Sequence, residues 1–423
     1  MASLVASAAS AVDEEISIKH LLAKHRSEID KLKLLVPPPP AVGEDGVPWD
    51  GMACKYDDLF YLRYALSFPK DEKSATEALK FTFDFRSSPD HRERIKIVAT
   101  GQVKTHPLTE ESKKWNVAGA LGVDDDGNRT SRGVLKESTG QGFVIVVRIA
   151  MCKRDDMSNS LTFDEQKSLQ LLHREAGFQY VDKLTRETGL LSKQVMFFDL
   201  KGAALSSMND KKSRHIQAEV SNIGKKCYPQ LVDKVAMVNA PKWFAGLLKV
   251  LKAVLPKSAL EKIELFSSTE SLWDSDWAKQ RLKRENMPGF LGGQLPEEEL
   301  SDELAGKCLE RTSLPDVTIK PRGKVSVPID ITSDGKHQVN YLVSITNRGV
   351  TFSIVFVPKG MESRAKEAVT LRSENKIEAS KGPIRDTITV NGPGTVHFKF
   401  DNSHSMMREK IVKYLISAKP AES

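Results

Sequence analysis

The stretch that most constrains this chain is Val235–Ser268, VAMVNAPKWFAGLLKVLKAVLPKSALEKIELFSS. A short apolar run at 235–238 predicts a strand, which turns at Asn239-Ala240-Pro241. The next apolar residues, Trp243, Phe244, Leu247, Leu248, Leu251, Val254 and Leu255, recur at steps of three and four and define one helix face. Lys242, Lys249 and Lys252 fall together on another face, because a heptad spans nearly two turns. Pro256 breaks the helix, and Ile263–Phe266 reads as a second strand. Two readings fit these residues. One is a core helix of an α/β domain with solvated lysines; the other is a helix that covers an apolar cavity and touches membrane with its basic side.

At 423 residues the chain is long enough for two or three domains. Its net charge of +7 favours anionic partners, nucleic acid or an acidic membrane. The charge is dispersed and no zinc-finger or RNA-binding signature accompanies it, so nucleic acid is not expected. Cys54, Cys152, Cys227 and Cys308 show neither pairing nor metal spacing and read as free thiols. The N-terminus lacks the basic and apolar regions of a signal peptide, and no run approaches the ~20 apolar residues that cross a bilayer. A cytoplasmic protein in peripheral contact with membranes is expected.

In chain order, Ser17–Val36 places Ile18, Leu22, Ile29, Leu32 and Val36 at alternating steps of three and four. This stretch suits a short coiled coil or a helix docked on the body. Pro37–Pro40 ends it and opens a linker. Two helices follow within Asp57–Arg86, separated near Ser67–Asp71, with Leu59, Leu62 and Leu66 on one face of the first and Ala75, Leu79 and Phe83 on the second. Asp124-Asp125-Asp126-Gly127 lacks the spacing of a calcium loop and reads as a solvated acidic turn. Phe143–Ala150 is a buried strand, Thr162–Thr188 a long helix, Val195–Leu200 a strand and Asp210–Cys227 a helix. This alternation predicts a mixed or parallel sheet flanked by helices. Beyond Val317 the period changes to two and turn signals recur, predicting a β-sandwich of about 105 residues.

The order Tyr228-Pro229-Gln230, Val238-Asn239-Ala240-Pro241-Lys242-Trp243-Phe244 and Lys262–Ser268 resembles the centre of the CRAL-TRIO lipid-binding family, to which the yeast phosphatidylinositol transfer proteins and the plant patellins belong. Asp199-Leu200-Lys201-Gly202 resembles that family's DLxG turn, where we read Asp199 as a backbone-bonding carboxylate. Pro288–Gly293 resembles the LPxxYGG close of its domain, with Phe290 in the tyrosine place. Phe398–Ser405 followed by Lys410–Tyr414 resembles the end of a GOLD domain. The resemblance implies a multidomain chain: an N-terminal helix and Pro-rich linker (1–50), a helical module (51–100), an α/β CRAL-TRIO domain with a gating helix (101–296), a linker (297–314) and an all-β GOLD sandwich (315–420).

It also implies a site. Val144, Val146, Arg148, Gln194, Met196 and Phe198 would line a lipid cavity, and Trp243, Phe244, Leu247, Leu248, Leu251 and Val254 would form its gate. Lys242, Lys249 and Lys252 would meet an anionic membrane, at about 1 kcal/mol each. Tyr228, Gln230 and Lys262 would face the headgroup. Lys262 keeps the lysine of phosphatidylinositol-binding relatives, but Gln230 replaces their glutamate and is uncharged. The relatives' phosphatidylcholine pair aligns with Gln194 and Met196.

No phosphate-binding glycine loop, HExxH or GxSxG motif occurs, so the expectation is a non-enzyme without cofactor or metal, its ligand a bound lipid. Two acyl chains hold about thirty methylenes, whose exposure would cost roughly 24 kcal/mol, so a carrier must open at a membrane and close before leaving it. The expected function is phospholipid binding and transfer, phosphatidylinositol-like, linked to Golgi or endosomal traffic. A lipid-regulated adaptor acting on a protein partner through the GOLD domain is the alternative.

Overall fold

The computed structural model describes residues 16–39, 55–103, 105–109, 120–121, 143–151, 159–203, 211–244, 246, 260–294, 314–345, 349–361 and 368–421. The chain divides into two compact units. The first comprises Met1–Lys153, Ser168–Asn209 and Gln217–Leu309; the second comprises Arg154–Lys167, Asp210–Ile216 and Glu310–Ser423.

The first unit opens with helices α1 (Ile18–Lys24) and α2 (Arg26–Leu35), then α3 (Asp58–Ser67), α4 (Glu72–Ser87) and α5 (Pro89–Ala99). Asp57 and Asp71 cap α3 and α4 by accepting hydrogen bonds from the Phe60 and Ser74 amides. Ser88, extended before Pro89, separates α4 from α5. The 17–36 stretch docks on the body, with Leu21, Ile29, Leu32 and Val36 buried in one cluster with α3 and α4. Sequence spacing assigns Leu59, Leu62 and Leu66 to one apolar face of α3. Instead residues 59–65 are all buried and Leu66 only half so, because α3 packs against α1, α2 and α4 at once.

Two charge pairs lie deep in this helical core. Arg86 holds Glu175 through two hydrogen bonds of 2.8 and 2.9 Å, and His91 and Gln179 contact the same carboxylate. Burial alone would push the Glu175 carboxyl up, but the Arg86 charge and the His91 hydrogen bond outweigh it and hold the group well below its ordinary range. Arg63 lies near Asp182 at 3.5 Å and its guanidinium sits over the Phe178 ring. These arginines join the helices to α6 (Phe163–Thr188).

A five-stranded sheet completes the unit, in the order β1-β2-β3-β4-β5: β1 (Ala120–Leu121), β2 (Phe143–Arg148), β3 (Gln194–Asp199), β4 (Val232–Val238) and β5 (Ile263–Leu265). β1 is antiparallel to β2 and the other pairs are parallel. Helix α6 connects β2 to β3, and α7 (Lys211–Cys227) connects β3 to β4, as parallel neighbours require. Helices α8 (Thr269–Asp274) and α9 (Asp276–Arg281) follow β5; a reciprocal Ser268–Ser271 capping box starts α8.

The second unit holds two four-stranded antiparallel sheets, β10-β9-β12-β7 and β11-β8-β13-β6. Their strands are β6 (Asp316–Ile319), β7 (Lys324–Ile331), β8 (Lys336–Ile345), β9 (Gly349–Pro358), β10 (Val369–Glu378), β11 (Ile384–Asn391), β12 (Gly394–Asp401) and β13 (Lys410–Pro420). Inward residues of both sheets share one core, in which Tyr341 meets Phe352 and Phe398 edge-on. The multidomain α/β plus all-β organisation is the expected one, and the all-β unit is consistent with a GOLD domain. Strands β10 and β11 escape a search for apolar alternation because they are edge strands with mostly polar side chains.

Candidate functional site

Register decides what each face of the parallel sheet presents. Val144 pairs with Val195, Val146 with Phe197, and Phe197 with Ala236, so these side chains share one face. That face is sealed. Val144, Val146, Val195, Phe197, Ala236 and Val238 pack against Leu272, Trp273, Ala278, Met287 and Leu291. The PGFLGG turn holds this cover in place: the Trp273 indole donates to the Leu291 carbonyl at 2.7 Å. A Cβ on Gly293 would stand 1.8 Å from the Met287 carbonyl oxygen, so only glycine fits. The Arg148 guanidinium lies 4.2 Å over the Phe290 ring, on the same side.

The opposite face differs. Ile145, Val147, Met196, Phe198, Val235, Met237, Ile263 and Leu265 alternate with the sealed set and are all only half-buried. Together they form an apolar floor across four adjacent strands.

Of the six residues expected to line one cavity, Gln194, Met196 and Phe198 belong to this second face. Val144 and Val146, each 1% exposed, and Arg148 belong to the sealed one. The expectation of a single shared face is corrected. The β2 sequence FVIVVR is apolar on both sides, so its parity cannot be read without the register to β3. For the same reason Val235, Met237, Ile263 and Leu265 are not assigned to the cavity from the sequence. Only the pairing of β4 with β5 shows that Val235 and Met237 stand beside Ile263 and Leu265.

At the carboxyl ends of the strands, Asp199 accepts hydrogen bonds from the Lys201 amide at 3.0 Å and the Asn239 side chain at 2.8 Å, the turn role read from the sequence. Trp243 and Phe244 close that end. Phe244 is fully buried and clusters with Ile149, Leu200 and Ala203, joined by Phe198, Met237, Trp243 and Leu265. Lys242 is exposed. Leu247, Leu248, Leu251, Val254, Lys249 and Lys252 lie outside the described residues.

At the opposite ends stand two lysines. Lys262, directly before β5, donates to the Val232 carbonyl at 2.7 Å. It pairs with neither Glu261 nor Glu264, and Glu264 instead bonds Lys234. Lys193, directly before β3, is also half-buried. Burial pulls both ammonium groups below their ordinary value, partly opposed by the charge of Asp233. The other two headgroup candidates are held elsewhere. Tyr228 is 4% exposed, packed on Phe178, with its hydroxyl 3.5 Å from His91. Gln230 has left-handed backbone (φ 59°) and donates to Ser67 at 3.0 Å. Tyr228, Gln230 and Lys262 therefore point to three different partners within the protein.

A separate cleft lies among the helices, lined by Ile18, Leu22, Leu59 and the charged Lys33, Asp57, Asp58 and Arg186. Its charges pair with one another, Lys33 with Asp58 and Arg186 with Asp57, so it is poorly suited to acyl chains. Among the described residues no helix is long and apolar enough to cross a membrane, and no group of three or more His, Cys, Asp and Glu could hold a metal.

Comparison with known proteins finds sequence relatives and a matching family model for part of the chain. The SEC14 cytosolic factor of Kluyveromyces lactis is 32% identical over 111 residues, 26% of this chain and 35% of that protein. Patellin-3 of Arabidopsis thaliana is 24% identical over 272 residues, 63% of this chain and 52% of that protein. The matches thus span about a third to a half of the length of these relatives. The crystal structure of Sfh5 aligns with 69% of this chain and 90% of its own, at 16% identity and a TM-score of 0.40. The family model for the CRAL/TRIO domain matches residues 137–293, the segment that carries the parallel sheet from β2 onward and its Trp273–Gly293 cover. The chain carries a CRAL/TRIO domain.

Proposed function

We propose that this chain binds one phospholipid or similar hydrophobic molecule on the open face of its parallel sheet and exchanges it at membranes, without catalysing a reaction. The half-buried floor of Met196, Phe198, Val235, Met237, Ile263 and Leu265 carries this reading. A face of that size, apolar except for the buried Gln194 at its edge, is stabilised by an apolar cover, and acyl chains supply one. The CRAL/TRIO domain, with relatives among SEC14 factors and patellins, supports it. Trp243 and Phe244, at the carboxyl end of the floor, begin the segment that would open at a bilayer, and exposed Lys242 favours an anionic one. Lys262 and Lys193, desolvated at the other end, favour an anionic headgroup, phosphatidylinositol above phosphatidylcholine. An anionic cytoplasmic leaflet of the Golgi or endosomes fits this chemistry.

Native mass spectrometry of protein purified from cells should show one lipid per chain. Transfer of a fluorescent phospholipid between donor and acceptor vesicles should require Phe198. Protein that carries no lipid, takes none from vesicles and transfers none would sink the proposal.

A further inference from the structure

One end of the β unit holds an exposed apolar pair. Met406 and Met407, 69% and 89% exposed, sit at the crest of the turn between β12 and β13. The turn is tied down rather than slack. The amide of the buried Asn402 donates to the carbonyls of Lys320 and Arg408 at 3.1 and 3.0 Å. Arg322 N donates to Ser405 O at 2.9 Å, Asn402 N donates to Gly323 O at 2.9 Å, and the Ser405 hydroxyl donates to Arg408 O at 2.9 Å. The 320–323 and 402–408 loops therefore form one braced tip.

Two features of this tip carry a cost in the isolated protein. Two methionines are presented to water by a turn that cannot fold them away. Arg322 takes a left-handed backbone (φ 60°) at the second corner of a Pro321–Arg322 turn closed by Gly323 N donating to Lys320 O, a place that favours glycine. The same turn sets basic groups around the pair. Lys320, Arg322 and Arg408 are exposed, and none forms an ion pair among the described residues. Glu409 is the opposing charge beside them, while Asp401 is engaged by Lys324. His404 contacts the Gly349 carbonyl.

We infer that this tip is a membrane-docking wedge: Met406 and Met407 enter the interfacial region of a bilayer while Lys320, Arg322 and Arg408 meet anionic headgroups. An apolar crest ringed by cations matches a surface that is negative outside and apolar beneath. A protein pocket would have to bury the same three cations and match each of them. The wedge is a second contact, independent of the lipid floor on the parallel sheet.

The test uses the full chain and vesicles of phosphatidylcholine with about 30 mol% phosphatidylserine. Met406→Ser/Met407→Ser should bind these vesicles about tenfold more weakly, with an unchanged melting curve, because neither side chain is buried. Arg408→Ala should cost about fivefold on these vesicles and little on pure phosphatidylcholine. Met407→Trp should add emission that shifts to the blue on binding and is quenched by brominated acyl chains. Equal binding by the double serine variant, or an added tryptophan blind to brominated lipid, would overturn the wedge. So would concentration-dependent dimerisation lost in M406S/M407S, which would make a second copy the occupant. Lipid uptake by the sheet floor reads out separately, since Phe198→Ala lowers it severalfold while the wedge variants keep the pocket loaded.

Discussion

The two faces of the parallel sheet use the same strands, each with aliphatic and aromatic side chains at its centre, yet end in different states. On one face Val144, Val146, Val195 and Phe197 meet Trp273, Met287 and Leu291 and are fully buried, while the charged Arg148, Lys234 and Glu264 of the same face stay half-buried. On the other, Met196, Phe198, Val235 and Met237 stay half-buried. Hydrophobicity of the strands does not distinguish the faces; the cover does. A protein interior is closed by side chains with hydrogen-bonded backbones, such as the Trp273–Leu291 pair, whereas a ligand face must be left without them.

That contrast can be broken from the sealed side first. Trp273→Ala should cost about 3–5 kcal/mol in denaturant unfolding, since it empties a large buried volume and leaves the Leu291 carbonyl without its donor. A loss under ~1 kcal/mol would mean the cover is not closed.

Acid separates the helical core from the open floor next. Burial pulls the His91 imidazole below its ordinary 6.5, while Glu175 is held below its ordinary carboxyl value. In both cases the unfolded chain binds protons more readily than the folded one. Stability should therefore be lost as pH falls below 6.5, and further through the carboxylate range, with full stability above. The floor residues from Ile145 to Leu265 are not titratable, so lipid affinity of the still-folded protein should hold over the upper part of that window. Melting curves and lipid-binding curves taken together check this; parallel loss of both from pH 6.5 would join the helical core and the floor into one response.

Smaller effects are expected on the open side. Phe198→Ala should lower stability by about 1 kcal/mol or less, because its ring is half-buried, while fluorescent-lipid uptake falls severalfold. Lys262→Met should leave stability nearly unchanged, since a desolvated ammonium is exchanged for an apolar chain of similar length. Its effect should show in competition assays, as a weaker preference for anionic over zwitterionic lipid. An unchanged preference would move headgroup recognition away from this edge.

Much of the fold was legible from local pattern. The alternation of strands and helices through 143–268 announced parallel crossovers, and the period of two beyond Val317 announced the antiparallel sheets. The helical module was legible as two helices, but not the depth of α3, whose flanks are covered by segments distant in sequence. Site residues were harder. Tyr228 and Gln230 are polar residues in a motif, and sequence alone does not tell whether such groups face a ligand or bond Ser67 and approach His91 inside the protein.

What the sequence by itself determined is the set of elements: strand and helix periods and caps at Asp57, Asp71 and Ser268. These follow from interactions within a few residues. What only the tertiary structure decided is direction: which side of β2 is sealed, which lysines are desolvated, and which arginines are buried on Glu175 and near Asp182. Strand parity has a period of two, and a strand apolar on both sides carries no local mark of it. Its neighbours in the sheet, brought from residues 194 to 265, fix which face is left open to a ligand.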